Sequence, residues 1–317
     1  MTTARRPPSI GVNLWPQDGS WTALRDAAVA ADRAGIDSVW TWDHLYAIEG
    51  EHDRPIFEGW TMLAAWAALT ERIELGLLVG ANTFRNPSLT AKSALTLDHI
   101  SGGRAWLGLG GAWFETEHHA HGLDFGRGFG ERLDRLDDAL AAMTALFRGD
   151  AASSPPDSHY RFDDLVARPL PVRGPGRLPI LVGGAGERKT LRTVARYADA
   201  WHAFGTVERF KRKIGVLEEH CTAEDRDIAT ITFSNGPYVC IRDEPRDAVR
   251  ALNEALAPYG SSVEDDETTW VGPPERIADR WRPFAELGVT LAIADLMAPY
   301  DRETIERLPQ VRALLAV

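Results

Sequence analysis

Asp43 and His44 are the residues of this chain whose types and position point most directly to chemistry. They follow 38–42, an apolar stretch that is typical of a buried strand. Histidine changes its protonation near neutral pH, and a neighbouring carboxylate can orient its ring. The pair therefore predicts His44 as a general acid or base, with Asp43 orienting it. The alternative is a purely structural role, in which the pair at the strand end caps the next loop.

Three further strand ends carry small or polar residues. Gly108–Trp113 places glycines at a strand end, where backbone can approach a ligand closely. Gly183–Gly186 precedes a helix, and free backbone N–H groups at such a turn bind phosphate. Asn82 and Thr83 offer polar groups for the edge of a heterocycle. An ordinary turn is the alternative at each position.

The segment 115–121 contains the histidine-rich cluster of the sequence. Glu117 and His121 are four residues apart, so a helix would place them on one face. The H-E-x-x-H pattern of zinc enzymes is missing, and a solvated helix start is the favoured interpretation. The sequence therefore predicts no metal site.

Alternation of short apolar runs with amphipathic segments predicts the elements that position these residues. Eight strand–helix units favour a (β/α)8 TIM barrel, in which the C-terminal strand ends form the active-site face. A single domain is expected over 1–317, with an irregular insertion at 149–177 after the fourth long helix. The predicted strands are 9–15, 38–42, 73–80, 105–110, 179–182, 200–204, one within 228–241, and 289–294.

Composition narrows the class of protein. Asp plus Glu number 46 against 35 Lys plus Arg, and the net charge of -11 argues against nucleic-acid and anionic-membrane partners. Cys221 and Cys240 are too few for a disulfide framework, and no apolar run is long enough to span a membrane. A cytoplasmic location is expected. Several of the 11 tryptophans fall at predicted strand ends, where they would line a pocket for a flat ligand or pack in the core.

Motifs along nearly the whole chain resemble the luciferase-like monooxygenase superfamily, in particular its deazaflavin (coenzyme F420)-dependent branch. The most family-specific segment is Asp98–Arg104, which Leu97 precedes in the matching series. The other matching segments are Ser38–Trp40, Asp43–Leu45, Arg72–Gly76, Asn82–Pro87, Ala91–Lys92, Leu107–Gly110, Trp113, Glu117–His118, Pro179–Gly184 and Ala195–Trp201.

This resemblance implies a flavin-like ring at the barrel mouth, with a small-molecule substrate beside it. It also implies a non-proline cis peptide near Leu78–Val79, a cofactor phosphate on Gly183–Gly186, and a homodimer. The expected cofactor-binding residues are Asp43, Leu78, Val79, Gly80, Asn82, Gly110, Gly111, Ala112, Trp113, Gly183, Gly184, Ala185 and Gly186.

The Asp43-His44 pair favours F420 over FMN, because the flavin-dependent branch more often has a Glu-His-His type sequence there. Ala112-Trp113 replaces the catalytic Glu of related sugar-phosphate dehydrogenases, so sugar phosphates are not expected as substrates. The predicted activity is hydride transfer between F420 and a small organic molecule. The alternative is an FMNH2-dependent monooxygenase that uses O2 and a separate flavin reductase, with 149–177 as a lid. A non-catalytic cofactor-binding barrel is a third interpretation.

Overall fold

Strands and helices alternate along the chain as the apolar patterning predicts. The computed structural model describes residues 8–315. The strands of this part are β1 Ser9–Leu14, β2 Ser38–Thr41, β3 Glu74–Leu77, β4 Gly80–Ala81, β5 Ala105–Gly110, β6 Ile180–Gly183, β7 Ala200–Ala203, β8 Thr232–Asn235, β9 Tyr238–Ile241, β10 Thr269–Gly272 and β11 Val289–Leu296. The α-helices are α1 Trp21–Ala34, α2 Gly59–Leu69, α3 Pro87–Ser101, α4 Glu115–Ala120, α5 Phe129–Arg148, α6 Thr190–Tyr197, α7 Val207–Ala223, α8 Pro245–Leu256, α9 Pro274–Glu286 and α10 Arg302–Leu315.

Eight parallel strands close into a barrel, which confirms the predicted (β/α)8 fold. Their order is β1, β2, β3, β5, β6, β7, β8 and β11, and β11 pairs with β1 to complete the ring. Asn13 of β1 lies opposite Trp40 of β2 on one side and Asp295 of β11 on the other. Because all eight strands are parallel, their C-terminal ends meet at one mouth.

Two predicted strands are divided in the structure. The third ends at Leu77, and its continuation Gly80–Ala81 pairs separately with β5. The stretch expected to hold one strand within 228–241 contains β8 and β9, which are separated at Pro237, a residue without the N–H that a ladder needs. β10 is not expected from the sequence, because the polar and acidic segment Tyr259–Thr269 is typical of a loop and includes the first residue of this strand.

Helices cover the outside of the barrel. The helix α5 has an apolar face whose five members are all buried: Leu133, Leu136, Leu140, Met143 and Leu146. Inside the barrel, Trp40 of β2 packs in one cluster with Leu181 of β6 and Ile293 of β11. These strands are on different sides of the ring, so the interior below the mouth is filled by side chains.

The insertion 149–177 is irregular, as predicted, and it packs against the outside of the barrel. Ala152 and Leu165 form an isolated antiparallel bridge within it. The Val172 N–H donates to Oδ2 of Asp98 in α3 over 2.7 Å. Among residues 8–315, no helix is long and apolar enough to cross a membrane.

Candidate active site

A cavity of about 700 Å³ opens at the C-terminal ends of the barrel strands. This volume lies in the range of small-molecule and cofactor sites, and the position is where barrel enzymes hold their substrates. Most of the predicted site residues line it: Asp43, His44, Leu78, Val79, Gly80, Gly110, Gly111, Ala112, Trp113, Gly183 and Gly184.

Tryptophans form one apolar wall of this cavity. The rings of Trp15 and Trp42 have their centroids 4.5 Å apart, and both side chains line the space. Trp113 lines the mouth and is 61% exposed. The other two strand-end tryptophans, Trp40 and Trp201, are fully buried and belong to the core.

His44 is held by Glu117, a residue of the short helix α4. The His44 Nδ1 atom lies 2.8 Å from Oε1 of Glu117. The second oxygen of that carboxylate accepts the backbone N–H groups of Leu45 at 2.8 Å and Tyr46 at 3.3 Å. Glu117 is only 1% exposed, so these bonds fix the carboxylate and, through it, the imidazole.

This contact determines which ring nitrogen is available for chemistry. A carboxylate only accepts hydrogen bonds, so Nδ1 of His44 carries a hydrogen and donates to Glu117. Nε2 is left on a side chain that lines the cavity. The arrangement can pass a proton between Nε2 and a bound molecule, as a general acid or base does.

The expectation that Asp43 orients His44 is wrong. Arg85 donates from Nη1 to Oδ2 of Asp43 at 2.7 Å and from Nη2 to Oδ1 at 2.9 Å, and the Ala81 N–H also donates to this carboxylate. Arg85 further binds Glu58 at the start of α2. Asp43 and His44 both line the cavity, but the Asp43 carboxylate is bound to Arg85 and Ala81, whereas the His44 ring is bound to Glu117.

Burial raises the pKa of the Asp43 carboxyl, and the Arg85 guanidinium opposes part of that rise. The same ion pair raises the pKa of Arg85 against the effect of its own burial. A paired, hydrogen-bonded carboxylate can remain inside the protein, whereas an unpaired one is costly. Asp43 therefore supports the loop that carries Ala81 and Arg85.

Asn82 and Thr83 do not reach the cavity, contrary to expectation. The Asn82 Nδ2 atom donates to the Tyr160 hydroxyl of the insertion at 2.9 Å, and Asn82 is 4% exposed. Thr83 Oγ1 lies 2.6 Å from Nε2 of His118. Both polar groups are already paired within the protein, which attaches the insertion and α4 to this loop.

The histidine-rich cluster forms α4, and only one side of this helix is solvated as expected. Glu117 and His118 are buried, at 1% and 0% exposure, whereas Glu115 and His119 are exposed. The His118 Nδ1 atom contacts the Phe114 carbonyl at 2.7 Å, and burial lowers the pKa of His118. In residues 8–315, no group of three or more His, Cys, Asp or Glu side chains is arranged to hold a metal ion.

Val79 occupies a notch made by glycines of the next two strands. The Leu78–Val79 peptide bond is cis, as the resemblance implies. A Cβ on Gly110 would lie 2.7 Å from Val79 Cγ2, and one on Gly183 would lie 2.8 Å from Val79 Cγ1. These two glycines therefore accommodate the Val79 side chain at the edge of the cavity.

A second cavity, of about 680 Å³, begins where the first one ends. Gly184 lines the first, and the next residues, Ala185 and Gly186, line the second. Its other walls carry many cations: Arg188, Lys189, Arg192, Arg212 and Lys213. A flat ring with a phosphate-bearing chain fits this pair of cavities, since the ring would meet aromatic walls and the phosphate would meet guanidinium groups.

The far wall of the first cavity contains polar residues that sequence reasoning missed. Asp295, His202 and Asn235 line it and are each at most 8% exposed. Each is at or close to the C-terminal end of a barrel strand, and this position was the available signal. The insertion 149–177, expected as a lid, contributes no residue to the walls of this cavity.

Comparison with known proteins places the chain in a family. Residues 6–267 match the family model of luciferase-like monooxygenases. An uncharacterised protein of Mycobacterium tuberculosis is 34% identical over 169 residues, which are 53% of this chain and 57% of that protein. An F420-dependent hydroxymycolic acid dehydrogenase of the same species is 26% identical over 297 residues, covering 90% of this chain and 80% of the relative.

Two solved structures share the fold. An F420-dependent secondary alcohol dehydrogenase in complex with an F420–acetone adduct has a TM-score of 0.82 at 18% identity, covering 98% of this chain and 99% of that one. A riboflavin lyase with modified FMN has a TM-score of 0.78 at 17% identity, covering 98% and 93%. At these identities the likeness concerns the fold. The chain belongs to the luciferase-like monooxygenase family, and it is an enzyme.

Proposed function

We propose that this enzyme transfers a hydride between coenzyme F420 and a small organic substrate, with His44 as the acid–base group. The observation that carries the proposal is the His44–Glu117 contact of 2.8 Å at the wall of a cofactor-sized cavity. A buried carboxylate that fixes one imidazole nitrogen leaves the other nitrogen free for proton transfer.

The basic second cavity supports F420 over FMN. Both cofactors carry a phosphate, but F420 continues beyond it into a chain of carboxylates. Some cations of this cavity are already paired, since Lys213 and Arg212 contact Glu187. Arg188 and Arg192 form no ion pair among residues 8–315. These two guanidinium groups would hold anionic groups beyond Gly186.

The protein's own residues would bind and orient the reactants. Bound F420 would supply a ring carbon that accepts or returns a hydride. Nε2 of His44 would accept the proton of a substrate hydroxyl during oxidation, and would return it during reduction. Glu117 would keep the imidazole in place, and the Trp15–Trp42 wall would exclude water from the apolar side of the substrate.

The alternative activity, an FMNH2-dependent monooxygenase with a partner reductase, would need a site closed to water. The segment expected to provide that closure, 149–177, is bound to α3 and Asn82 and does not line the cavity. This arrangement supports hydride transfer as the better proposal. A homodimer remains a prediction from the family resemblance.

Titration of the purified protein with F420 and, separately, with FMN tests the proposed cofactor. We expect F420 to bind more tightly, with an affinity that falls as salt is added. Tight binding of FMN without binding of F420 would overturn the proposal.

Replacement of His44 tests its assigned role. The variant His44→Ala should lower turnover by about 10²–10⁴-fold, the usual contribution of an acid–base group, while the Kd for F420 stays nearly constant. Turnover equal to that of the wild type would remove His44 from the mechanism.

A further inference from the structure

Asp295 is a buried carboxyl at the C-terminal part of β11, and it lines the same cavity as His44. One of its oxygens accepts hydrogen bonds from two side chains. Asn13 Nδ2 donates to Oδ1 over 2.6 Å, and Trp15 Nε1 donates to the same atom over 3.1 Å. These bonds fix the direction of the carboxyl group.

The other oxygen of Asp295 is not used by the protein. Oδ2 accepts no hydrogen bond from any residue between 8 and 315, and it is not among the polar atoms sealed from solvent. Asp43 and Glu117, the other acids of the cavity, are bound by Arg85 and His44. Asp295 forms no such ion pair with the described part of the chain.

The side chains around Asp295 bring no positive charge to it. Tyr238 of β9 lies opposite it, and burial together with Asp295 raises the pKa of this phenol, so it stays neutral. His202 of β7 lines the same wall, and burial lowers its pKa to about 3. Asn235 of β8 and Asn13 of β1 are amides. Arg209 of α7 also lines the cavity, but it forms no ion pair with Asp295 and does not affect the pKa of that carboxyl. A bound cation would therefore supply the counter-charge that the described residues do not.

Burial also affects the carboxyl itself. It raises the pKa of Asp295 to about 6, although the bonds from Asn13 and Trp15 oppose the rise. At pH 8 the group is therefore a carboxylate without a partner, in a place where charge is poorly solvated. A cation that binds there recovers part of the lost solvation.

We propose that Asp295 is a recognition subsite for a protonated amine of an otherwise apolar substrate. The ammonium group would donate to Oδ2, and the indole of Trp15 would lie beside the cation with the face of Trp42 behind it. The apolar part of the molecule would extend along the aromatic wall toward His44, whose ring is 6.2 Å from that of Trp42. The inference rests on the proposed function only in taking this cavity as the substrate's site.

Three molecules of similar shape test the subsite: 2-phenylethylamine, 2-phenylethanol and 3-phenylpropanoate. Their binding is measured by titration calorimetry at pH 8, with the protein alone and with the protein saturated with F420. We expect the amine to bind at least about tenfold more tightly than the alcohol, and the carboxylate to bind most weakly. Equal affinity for the amine and the carboxylate would overturn the proposal.

The variant Asp295→Asn should remove the preference for the amine, because its amide can present a donor where the carboxylate presented an acceptor. Asp279→Asn is the matched control, since Asp279 is exposed on α9 and does not line the cavity. Retention of the amine preference in Asp295→Asn, or its loss in Asp279→Asn, would contradict the assignment.

The pH dependence gives a measurement that needs no variant at Asp295. Between pH 8 and pH 5 the amine stays protonated while Asp295 takes up a proton, so amine affinity should fall with a midpoint near pH 6. Trp15→Phe removes one donor to Oδ1 and should move that midpoint upward. An amine affinity that does not change over this range would overturn the proposal. Amine binding without F420 binding would instead contradict only the proposed cofactor.

Discussion

The Nδ1 atom of His44 lies 2.8 Å from Oε1 of Glu117, a residue 73 positions further along the chain. The contact connects the end of β2 to the short helix α4 across the mouth of the barrel. It changes the assignment of the neighbouring acid, because Asp43 is bound to Arg85 and not to the imidazole. His44 and Glu117 therefore form the acid–base unit that we propose for this enzyme.

The variant Glu117→Gln should lower kcat by about 10- to 100-fold, because the neutral amide no longer fixes a proton on Nδ1 of His44. Steady-state kinetics with F420 would measure this loss. Glu115→Gln, on the exposed side of the same helix, should retain full activity. The double variant with His44→Ala should lose no more than His44→Ala alone, since the two residues act as one unit. Additive losses would contradict that coupling.

The variant Asp295→Asn should stabilise the protein above pH 6. The pKa of Asp295 is about 6 in the folded state against an ordinary value of 3.8, so the wild type loses folding free energy as the pH rises between these values. We expect a gain on the order of 2 kcal/mol at pH 8 and none at pH 4, measured by urea unfolding. Asp279→Asn serves as the control, and a gain of equal size at both pH values would exclude this explanation.

The variant Arg85→Met should destabilise the protein by about 3–5 kcal/mol at pH 8, because it leaves the Asp43 carboxylate buried without a partner. Burial already raises the pKa of Asp43, so the penalty should grow as the pH rises through this raised pKa and shrink toward acid pH, where the carboxyl is protonated with or without Arg85. Urea unfolding at pH 5 and pH 8 would measure the difference. Adding Asp43→Asn to this variant should recover part of the stability, and no recovery would show that Arg85 acts through other contacts.

The variant Gly183→Ala should cost about 1–3 kcal/mol of stability, because its Cβ would lie 2.8 Å from Cγ1 of Val79. Val79 lines the cavity, so a shift of its side chain should lower cofactor affinity as well. Gly215→Ala is the matched control: it lies within α7 with nothing within 4 Å, and it should stabilise the helix by up to about 1 kcal/mol. Thermal unfolding and cofactor titration of both variants would test the contact.

The sequence by itself determined the fold and most of the cavity wall. Strands and helices follow from apolar periodicity, and the parallel arrangement places every C-terminal strand end at one mouth. In the family-specific segment Asp98–Arg104, the last residue has a structural role. Arg104 donates to the carbonyl groups of Ala67, Thr70 and Ile73, and so caps the end of α2. The single-domain organisation, the cytoplasmic location and the homodimer stay predictions.

Only the tertiary structure decided the partners of the charged side chains. His44 and Glu117 are separated by 73 residues, Asp43 and Arg85 by 42, and Asn13 and Asp295 by 282. Local patterns describe which residues share a strand or a helix face, but they carry no information on which distant element will dock beside them. The docking of α4 over β2 and the pairing of β11 with β1 supply that information. A carboxylate can form an ion pair, orient another side chain or keep an oxygen available for a ligand. Which of these it does depends on those neighbours, so its role could not be read from the sequence.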